Sequence, residues 1–292
     1  MTGKIMKGIA GFYYVHDGVS KVYECRARGI FRNRKMKPLV GDDVEFTILD
    51  EKERTGNIVD IQDRKNQLIR PAVANIDQAL VVFAVADPDP NLNLLDRFLL
   101  TMEMQKIPAV VCFNKKDLGT EEKMAALCTI YEAAGYPVYF TDARSGEGLL
   151  EIRDSLRGKT TVLAGPSGVG KSSLTNMIQP EAEMETGAIS EKIRRGRHTT
   201  RHSELFFVEQ DTFMMDTPGF SSIYVEEGKP EELSFCFPEF EPFVSECRFP
   251  GCVHMGEREC GIKAAVKEGK IAKSRYENYR LIYEELKSKR RY

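Results

Sequence analysis

The apolar positions along this chain change period twice. Over residues 1–70 they fall in short runs rich in aromatic and β-branched side chains, at Ile9–Val15, Val22–Arg28, Val44–Leu49 and Gly56–Ile61. His16-Asp17-Gly18 and the Pro38–Asp43 segment supply turn chemistry between them. Several short strands in so little chain predict a small β-barrel, for which an OB-like fold is the best candidate. After a polar stretch over residues 64–75 the pattern alternates. Ala79–Ala86 is a buried strand by length and composition, and Leu92–Gln105 places Leu95, Phe98, Leu99 and Met102 at helical spacing. Strand signals at Ala109–Phe113, Val138–Thr141 and Thr161–Ala164 alternate with helical ones at Glu121–Ala134 and Glu147–Leu156, and Leu205–Val208 and Phe213–Met215 add two strands. That order predicts an α/β domain whose sheet is mostly parallel, with helices on both faces. From about residue 226 the chain turns acidic, then gathers Cys and His, and ends in a basic helical pattern over Ile262–Arg291. The expected division is 1–70, 71–225 and 226–292.

Composition narrows the class. The 292 residues are 42% apolar and 29% charged, so the chain is globular and not disordered. No apolar run approaches the ~20 residues of a membrane span, and the N-terminus lacks the apolar core of a secretory signal. Seven cysteines do not suggest a disulfide scaffold. The expected setting is the reducing cytoplasm. The net charge of −2 reads against a nucleic-acid partner, but its distribution does not. Arg26, Arg28, Arg32, Arg34, Lys35 and Lys37 crowd one barrel segment; Lys192, Arg194, Arg195, Arg197 and Arg201 crowd a later loop; residues 263–291 hold ten basic and four acidic side chains. Three such clusters favour contacts to RNA phosphates.

The chemistry lies in four segments. Gly165-Pro166-Ser167-Gly168-Val169-Gly170-Lys171-Ser172, followed by Ser173, fits G-x-x-x-x-G-K-[ST] between a strand and a helix. Its glycines let backbone N–H groups close around phosphate oxygens, Lys171 is expected to reach the β- and γ-phosphates, and the Ser172 hydroxyl to bind Mg²⁺. Asp216-Thr217-Pro218-Gly219 at a strand end is a D-x-x-G, whose Asp216 would also serve Mg²⁺ and whose Gly219 amide would sense the γ-phosphate. Asn114-Lys115-Lys116-Asp117 is N-K-x-D, in which the Asp117 carboxylate accepts from the N1–H and N2 amine of guanine and finds no such donor pair on adenine. Thr141-Asp142-Ala143-Arg144-Ser145 stands where an S-A-K motif would offer the Ala143 amide to guanine, with Asp142 departing from the usual Ser.

Residues 187–201 (GAISEKIRRGRHTTR) occupy the place of a first switch, where Thr199 or Thr200 would serve Mg²⁺ and the γ-phosphate. Phe220 follows D-x-x-G where Ras-like enzymes carry a water-orienting Gln, so intrinsic hydrolysis should be slow, and His198 is a candidate for that role. Separately, Cys247-x₄-Cys252-x-His254-x₅-Cys260 puts three thiols and an imidazole within 14 residues, a donor set for one structural, tetrahedral Zn²⁺ with no open position.

The motif order is unusual. N-K-x-D and the S-A-K equivalent precede the phosphate loop, as in a circularly permuted GTPase. The short Arg157-Gly158-Lys159 link would join the ordinary last helix to the ordinary first strand, and the chain would leave the second switch directly for the C-terminal module. With an OB-like barrel before and a Cys₃His module after, the chain resembles the RsgA (YjeQ/YloQ) family of circularly permuted GTPases. The resemblance covers nearly the whole chain. It implies a monomeric cytoplasmic factor that binds GTP and GDP, docks on the small ribosomal subunit and its rRNA late in maturation, and leaves after subunit-stimulated hydrolysis. A GTP-gated RNA-binding module with incidental hydrolysis, and a permuted GTPase of the large subunit, are the competing expectations.

Overall fold

The computed structural model describes residues 1–27, 37–68, 72–180, 204–216 and 229–289. These build two compact units, each from two chain segments: 1–80 with 143–221, and 81–142 with 222–292.

The first unit opens with five strands, β1 (Thr2–Ile9), β2 (Phe12–His16), β3 (Val22–Ala27), β4 (Asp43–Asp50) and β5 (Thr55–Ile61). Their order β1-β2-β3-β5-β4, with β4 pairing back onto β1, closes a barrel of OB-like topology. Alternate side chains point inward, and Ile5, Val15, Tyr23, Cys25, Val44, Phe46, Ile58 and Ile61 form its core. The single strand expected over Ile9–Val15 is instead the junction of two. Ala10 (φ 51°) and Gly11 (φ 88°) turn the chain back, and β1 precedes them. Lys4 and Lys7 mask β1 in the sequence, because a bulge between Ile5 and Lys7 breaks its alternation. Past the barrel, the polar stretch holds a small pair, β6 (Gln67–Leu68) and β7 (Val73–Ala74). Arg64 grips the buried Asp42 through Nε (2.6 Å) and Nη2 (2.8 Å).

The same unit holds helix α3 (Leu149–Leu156), strand β11 (Thr160–Ala164), helix α4 (Lys171–Ile178) and the hairpin β12 (Glu204–Glu209)–β13 (Thr212–Asp216). β11 runs parallel to β13, and β12 pairs antiparallel with both β13 and β1. The chain passes to the second unit within β8 (Gln78–Ala84), which is wholly buried, as its unbroken apolar run predicts.

In the second unit, α1 (Leu92–Met104), capped by the Asn91 side chain, and α2 (Glu121–Glu132), capped by Thr120, accompany the parallel strands β9 (Ala109–Asn114) and β10 (Val138–Phe140). Two 3₁₀ segments, Pro230–Cys236 and Pro238–Glu246, lead to α5 (Gly261–Lys267) and α6 (Lys273–Lys289). The one basic helix expected over Ile262–Arg291 is therefore two, divided at Gly269 (φ 75°), a conformation glycine adopts without strain. Phe237, Phe240, Ile262, Ile271, Tyr279, Ile282 and Leu286 form the core of this C-terminal part.

Candidate functional site

The phosphate-loop segment lies in the first unit. β11 delivers the chain to Gly165, and Gly165, Gly168 and Gly170 take φ of 137°, 82° and 93°. Side chains at such angles are strained, so the loop can turn its amides inward only with glycine there. Gly170 caps α4, and Val169, 1% exposed, pins the loop to the core. Lys171 Nζ donates to the carbonyls of Gly165 (2.8 Å) and Pro166 (2.7 Å), so its ammonium is curled over the loop. Ser172 and Ser173 are half-buried, and Ser167 and Gly168 are exposed. β13 ends at Asp216, whose backbone lies opposite Leu163 of β11, so the D-x-x-G segment begins beside the strand that feeds the phosphate loop. His198, Thr199, Thr200 and Gly219 lie outside the described residues.

The N-K-x-D segment lies in the second unit. Asn114, 2% exposed, ends β9; its carbonyl accepts from the Val85 N–H (2.8 Å) and its Oδ1 from the Thr141 hydroxyl (3.2 Å). Thr141 in turn offers its carbonyl to the Lys116 N–H at 3.0 Å. Asn114 and Thr141 thus tie the N-K-x-D loop to the T-D-A-R-S loop. Lys115 (φ 59°) takes the left-handed conformation, its Nζ donates to the Asp87 carbonyl, and a 3₁₀ turn over Lys116–Leu118 leaves Asp117 exposed. Gly119 is forced by space, since a Cβ there would come within 2.3 Å of the Val85 side chain. Asp142 is buried at 8% exposure and ends the second unit, while Ala143 begins the other segment of the first.

The Cys/His segment is also in the second unit. The ligand atoms of Cys247, Cys252, His254 and Cys260 all lie within 4.8 Å of one another. Cys247 Sγ is 3.6 Å and Cys260 Sγ 3.4 Å from His254 Nδ1, and the two sulfurs are 3.9 Å apart. Tetrahedral Zn²⁺ with ordinary bond lengths demands about 3.8 Å between sulfurs and about 3.6 Å between sulfur and nitrogen. The donor set therefore fits that ion, with His254 ligating through Nδ1. Burial raises the Cys252 and Cys260 thiols and lowers the His254 imidazole, so without a cation these three groups tend to neutrality. A divalent ion reverses that by replacing the thiol protons. Cys236, the nearest other cysteine in the sequence, belongs to the Pro230–Cys236 3₁₀ segment and stays outside the cluster.

Helix α6 supplies supports that sequence reasoning missed. The Tyr276 hydroxyl donates to the His254 carbonyl and the Tyr279 hydroxyl to that of Val253, each at 2.7 Å. The Glu257 carboxylate accepts from the Val253 (2.9 Å) and Met255 (2.8 Å) amides. Arg275, assigned above to an RNA-facing cluster, is instead 1% exposed. Its Nε and Nη2 donate to Glu239 (2.7 and 3.0 Å) and its Nη1 to Asp96 of α1 (2.7 Å). Asp96 also accepts from Asn278 (2.6 Å) and Tyr131 (3.2 Å). The available signal was Asp96 itself, a carboxylate inside the Leu95–Phe98–Leu99–Met102 stripe. In the barrel, Arg28, Arg32, Arg34 and Lys35 lie outside the described residues, Lys37 is exposed, and the Arg26 guanidinium lies 4.7 Å from the Phe12 ring centre. The later basic loop, Lys192–Arg201, is also outside them.

Comparison with known proteins supplies the frame for these segments. A family model described as RsgA GTPase matches residues 61–226, and one described as RsgA N-terminal domain matches residues 2–58. A protein of Agathobacter rectalis named Small ribosomal subunit biogenesis GTPase RsgA is 56% identical over the whole of both chains. One of Listeria monocytogenes named Small ribosomal subunit biogenesis GTPase RsgA 1 is 47% identical over 99% of each. The crystal structure of YloQ, described as a circularly permuted GTPase, superposes with a TM-score of 0.82 at 39% identity, covering 99% of this chain and 95% of its own. YjeQ from Thermotoga maritima gives 0.82 at 35%, covering 98% of each. The order N-K-x-D, phosphate loop, D-x-x-G is thus a shared architecture, and the chain belongs to the RsgA family of circularly permuted GTPases.

Proposed function

We propose that this protein hydrolyses GTP on the small ribosomal subunit, assists a late step of its maturation in the cytoplasm, and uses hydrolysis to time its departure. The observation that carries this reading is 56% identity over the full length of a relative bearing that name, joined to the phosphate-loop, D-x-x-G and N-K-x-D motifs of this chain. The working division is an RNA-binding barrel (1–70), the permuted GTPase (71–225) and a zinc module (226–292), acting as a monomer.

Each motif residue then has a task. Asp117 reads the guanine edge, with Asn114 holding the loop, Lys115 and Lys116 flanking the base and the Ala143 amide facing O6. Backbone amides of residues 165–173 cradle the phosphates. Lys171 exchanges its two loop carbonyls for β- and γ-phosphate oxygens, trading neutral acceptors for charged ones. Mg²⁺ bound with GTP, served by Ser172, Asp216 and Thr199 or Thr200, would offset the charge that develops on the phosphate oxygens. Gly219 senses the γ-phosphate, and His198 orients the attacking water, a role the Phe220 ring cannot take. With Phe220 in place of a Gln after D-x-x-G, unassisted turnover falls in the range of about 10⁻⁴–10⁻² s⁻¹ found for comparable GTPases. The zinc module holds one structural Zn²⁺ through Cys247, Cys252, His254 and Cys260.

Steady-state GTP hydrolysis measured alone, with small subunits and with large subunits tests the reading. Stimulation by small subunits only is expected. Stimulation by neither would reduce the protein to a GTP-gated RNA-binding module, and stimulation by large subunits would reassign its partner. Loss of stimulation in His198→Ala, with GTP affinity retained, is expected of the water-orienting role.

A further inference from the structure

Within the first unit the barrel is fastened to one particular element, the β12–β13 hairpin. β1 pairs with β12 at Lys7 and Glu204, whose side chains form an ion pair at 2.7 Å. Beside that pair, three rings meet. His16, at the end of β2, stacks on Phe207 of β12 with centroids 4.3 Å apart and planes 23° from parallel. It meets Phe213 of β13 edge-on at 5.9 Å. Phe207 and Phe213 lie directly opposite one another across the hairpin, with centroids 5.6 Å apart. The Lys4 ammonium, from β1, lies 5.6 Å from the Phe213 ring centre. His16 is 3% exposed and its Nδ1 accepts from the Gly18 N–H at 3.1 Å, which fixes a neutral ring protonated at Nε2. A Cβ on Gly3 would come within 2.5 Å of the His16 carbonyl, so β1 and β2 approach too closely here for His16 to shift alone.

The hairpin occupies a special place in the chain. β12 begins three residues after Arg201, the end of the first-switch segment, and β13 ends at Asp216, the start of D-x-x-G. Phe213 and Asp216 share one strand, about 10 Å apart along it. β13 is also the parallel partner of β11, which enters the phosphate loop. The barrel is therefore joined to the chain on both sides of the hairpin, where the two switch segments begin and end, through one two-stranded element. Register makes the connection discrete, because a one-residue slip of β12 against β13 would turn Phe207 away from His16.

We propose that His16, Phe207 and Phe213, with the Lys7–Glu204 pair, are positioning residues for GTP hydrolysis, transmitting the seating of the barrel on RNA to the phosphate site. This rests on the subunit-stimulated reading above. None of these residues touches nucleotide; they act through the strand that carries Asp216. In His16→Ala and Phe207→Ala, the rate at saturating small subunits should fall about 2- to 30-fold. The intrinsic rate, the KM for GTP and the affinity for the subunit should stay unchanged. His16→Phe, which keeps a stacking ring, should retain most of the stimulation. Lys7→Glu should lower it, and Lys7→Glu with Glu204→Lys should restore it.

Wild-type protein carries a second arm. Replacing GDP by a non-hydrolysable GTP analogue should change amide hydrogen exchange at residues 12–16 together with residues 204–216. Full stimulation of His16→Ala, equal loss in His16→Phe and His16→Ala, or an exchange change confined to the hairpin would overturn the inference while leaving the assembly-GTPase reading intact. Failure of small subunits to stimulate the wild-type protein would overturn both. Should the alanine variants unfold, the wild-type exchange measurement and the charge exchange decide the matter.

Discussion

Arg275 offers the sharpest test of how the second unit is held together. Its guanidinium is surrounded by protein, with Glu239 on one side and Asp96 on the other, and the Phe237 ring centre lies 4.7 Å from it. Arg275→Met keeps most of the volume and removes the cation. Both carboxylates are then buried without a charge partner. Asp96 retains Asn278 and Tyr131, so the larger share of the loss falls on Glu239. Removing one partner of a buried pair costs about 3–5 kcal/mol, and that is the expected loss at pH 8.

The pH dependence has a definite sign. Burial already raises the Asp96 carboxyl against the opposing Arg275 charge, and without Arg275 it rises further above its unfolded value. A group raised in this way binds more protons folded than unfolded, so its contribution is retained at low pH and lost as pH climbs through the folded value. Arg275→Met should therefore be less destabilised at pH 5 than at pH 8. Replacing all three ionic partners, by Arg275→Met, Asp96→Leu and Glu239→Met, should recover much of the loss, because a buried ion pair adds little over well-packed apolar groups. The assay is amide exchange of α1 and α6 in the zinc-loaded full chain, which reads local opening without assuming two-state unfolding of a multi-domain protein. A loss below about 1 kcal/mol at pH 8, or one independent of pH, would refute the account of the triad as a buried charge lock.

Three further outcomes follow from the sites. Elemental analysis should find about one Zn²⁺ per chain, absent in Cys252→Ser, and chelation should open α5 and α6 to exchange ahead of the barrel. Asp117→Asn should weaken GTP binding about 10²-fold or more and favour xanthosine triphosphate, whose C2 carbonyl accepts from the new amide; unchanged GTP affinity by calorimetry would remove Asp117 from guanine recognition. Burial lowers the His16 pKa against the opposing effect of Asp17, so the unfolded state binds more protons just below pH 6.5. Exchange protection at residues 12–16 should then hold above that value and fall as pH drops through it, a slope that His16→Phe should remove.

The legible parts of this protein were those whose information is local. The phosphate loop, N-K-x-D and the Cys₃His segment declare themselves because each needs a fixed residue type at a fixed spacing; in the fold Gly165, Gly168 and Gly170 take positive φ, and the four Cys/His donor atoms lie within 4.8 Å of one another. Strand β8 was legible because all of it after Gln78 is apolar, as a doubly covered strand requires. The misses share a different cause. β1 was hidden because its bulge breaks alternation and its lysines carry partners remote in sequence: Lys7 meets Glu204, and Lys4 meets Asp43. His16 reads as turn chemistry until Phe207 and Phe213, nearly two hundred residues later, are brought against it. Arg275 reads as one more charge in a basic tail until α1 and the 3₁₀ segments close over it. Periodicity cannot report a partner that only the tertiary fold supplies.

The same distinction changes what the net charge of −2 means. Summed over the sequence, acidic and basic residues nearly cancel, and the C-terminal tail reads as a net cation. In the folded chain part of that charge is spent internally: Arg275 on Asp96 and Glu239, and Arg97 on Glu285 at 2.6 Å. Lys270 and Lys273 on the surface face Glu268 and Glu277, while the Lys287 ammonium lies 5.9 Å from the Tyr283 ring centre. Surface pairs of that kind are weak and exchange readily for a phosphate, whereas the buried triad cannot. Salt dependence of binding to small subunits should separate the two classes. Lys270→Ala or Lys273→Ala should flatten the slope of log affinity against log salt by about one counterion each. Arg275→Met should alter stability and leave that slope where it was. An equal change in slope for Arg275→Met would mean that the guanidinium leaves its carboxylates to meet RNA, and the triad would then be a latch and not a lock.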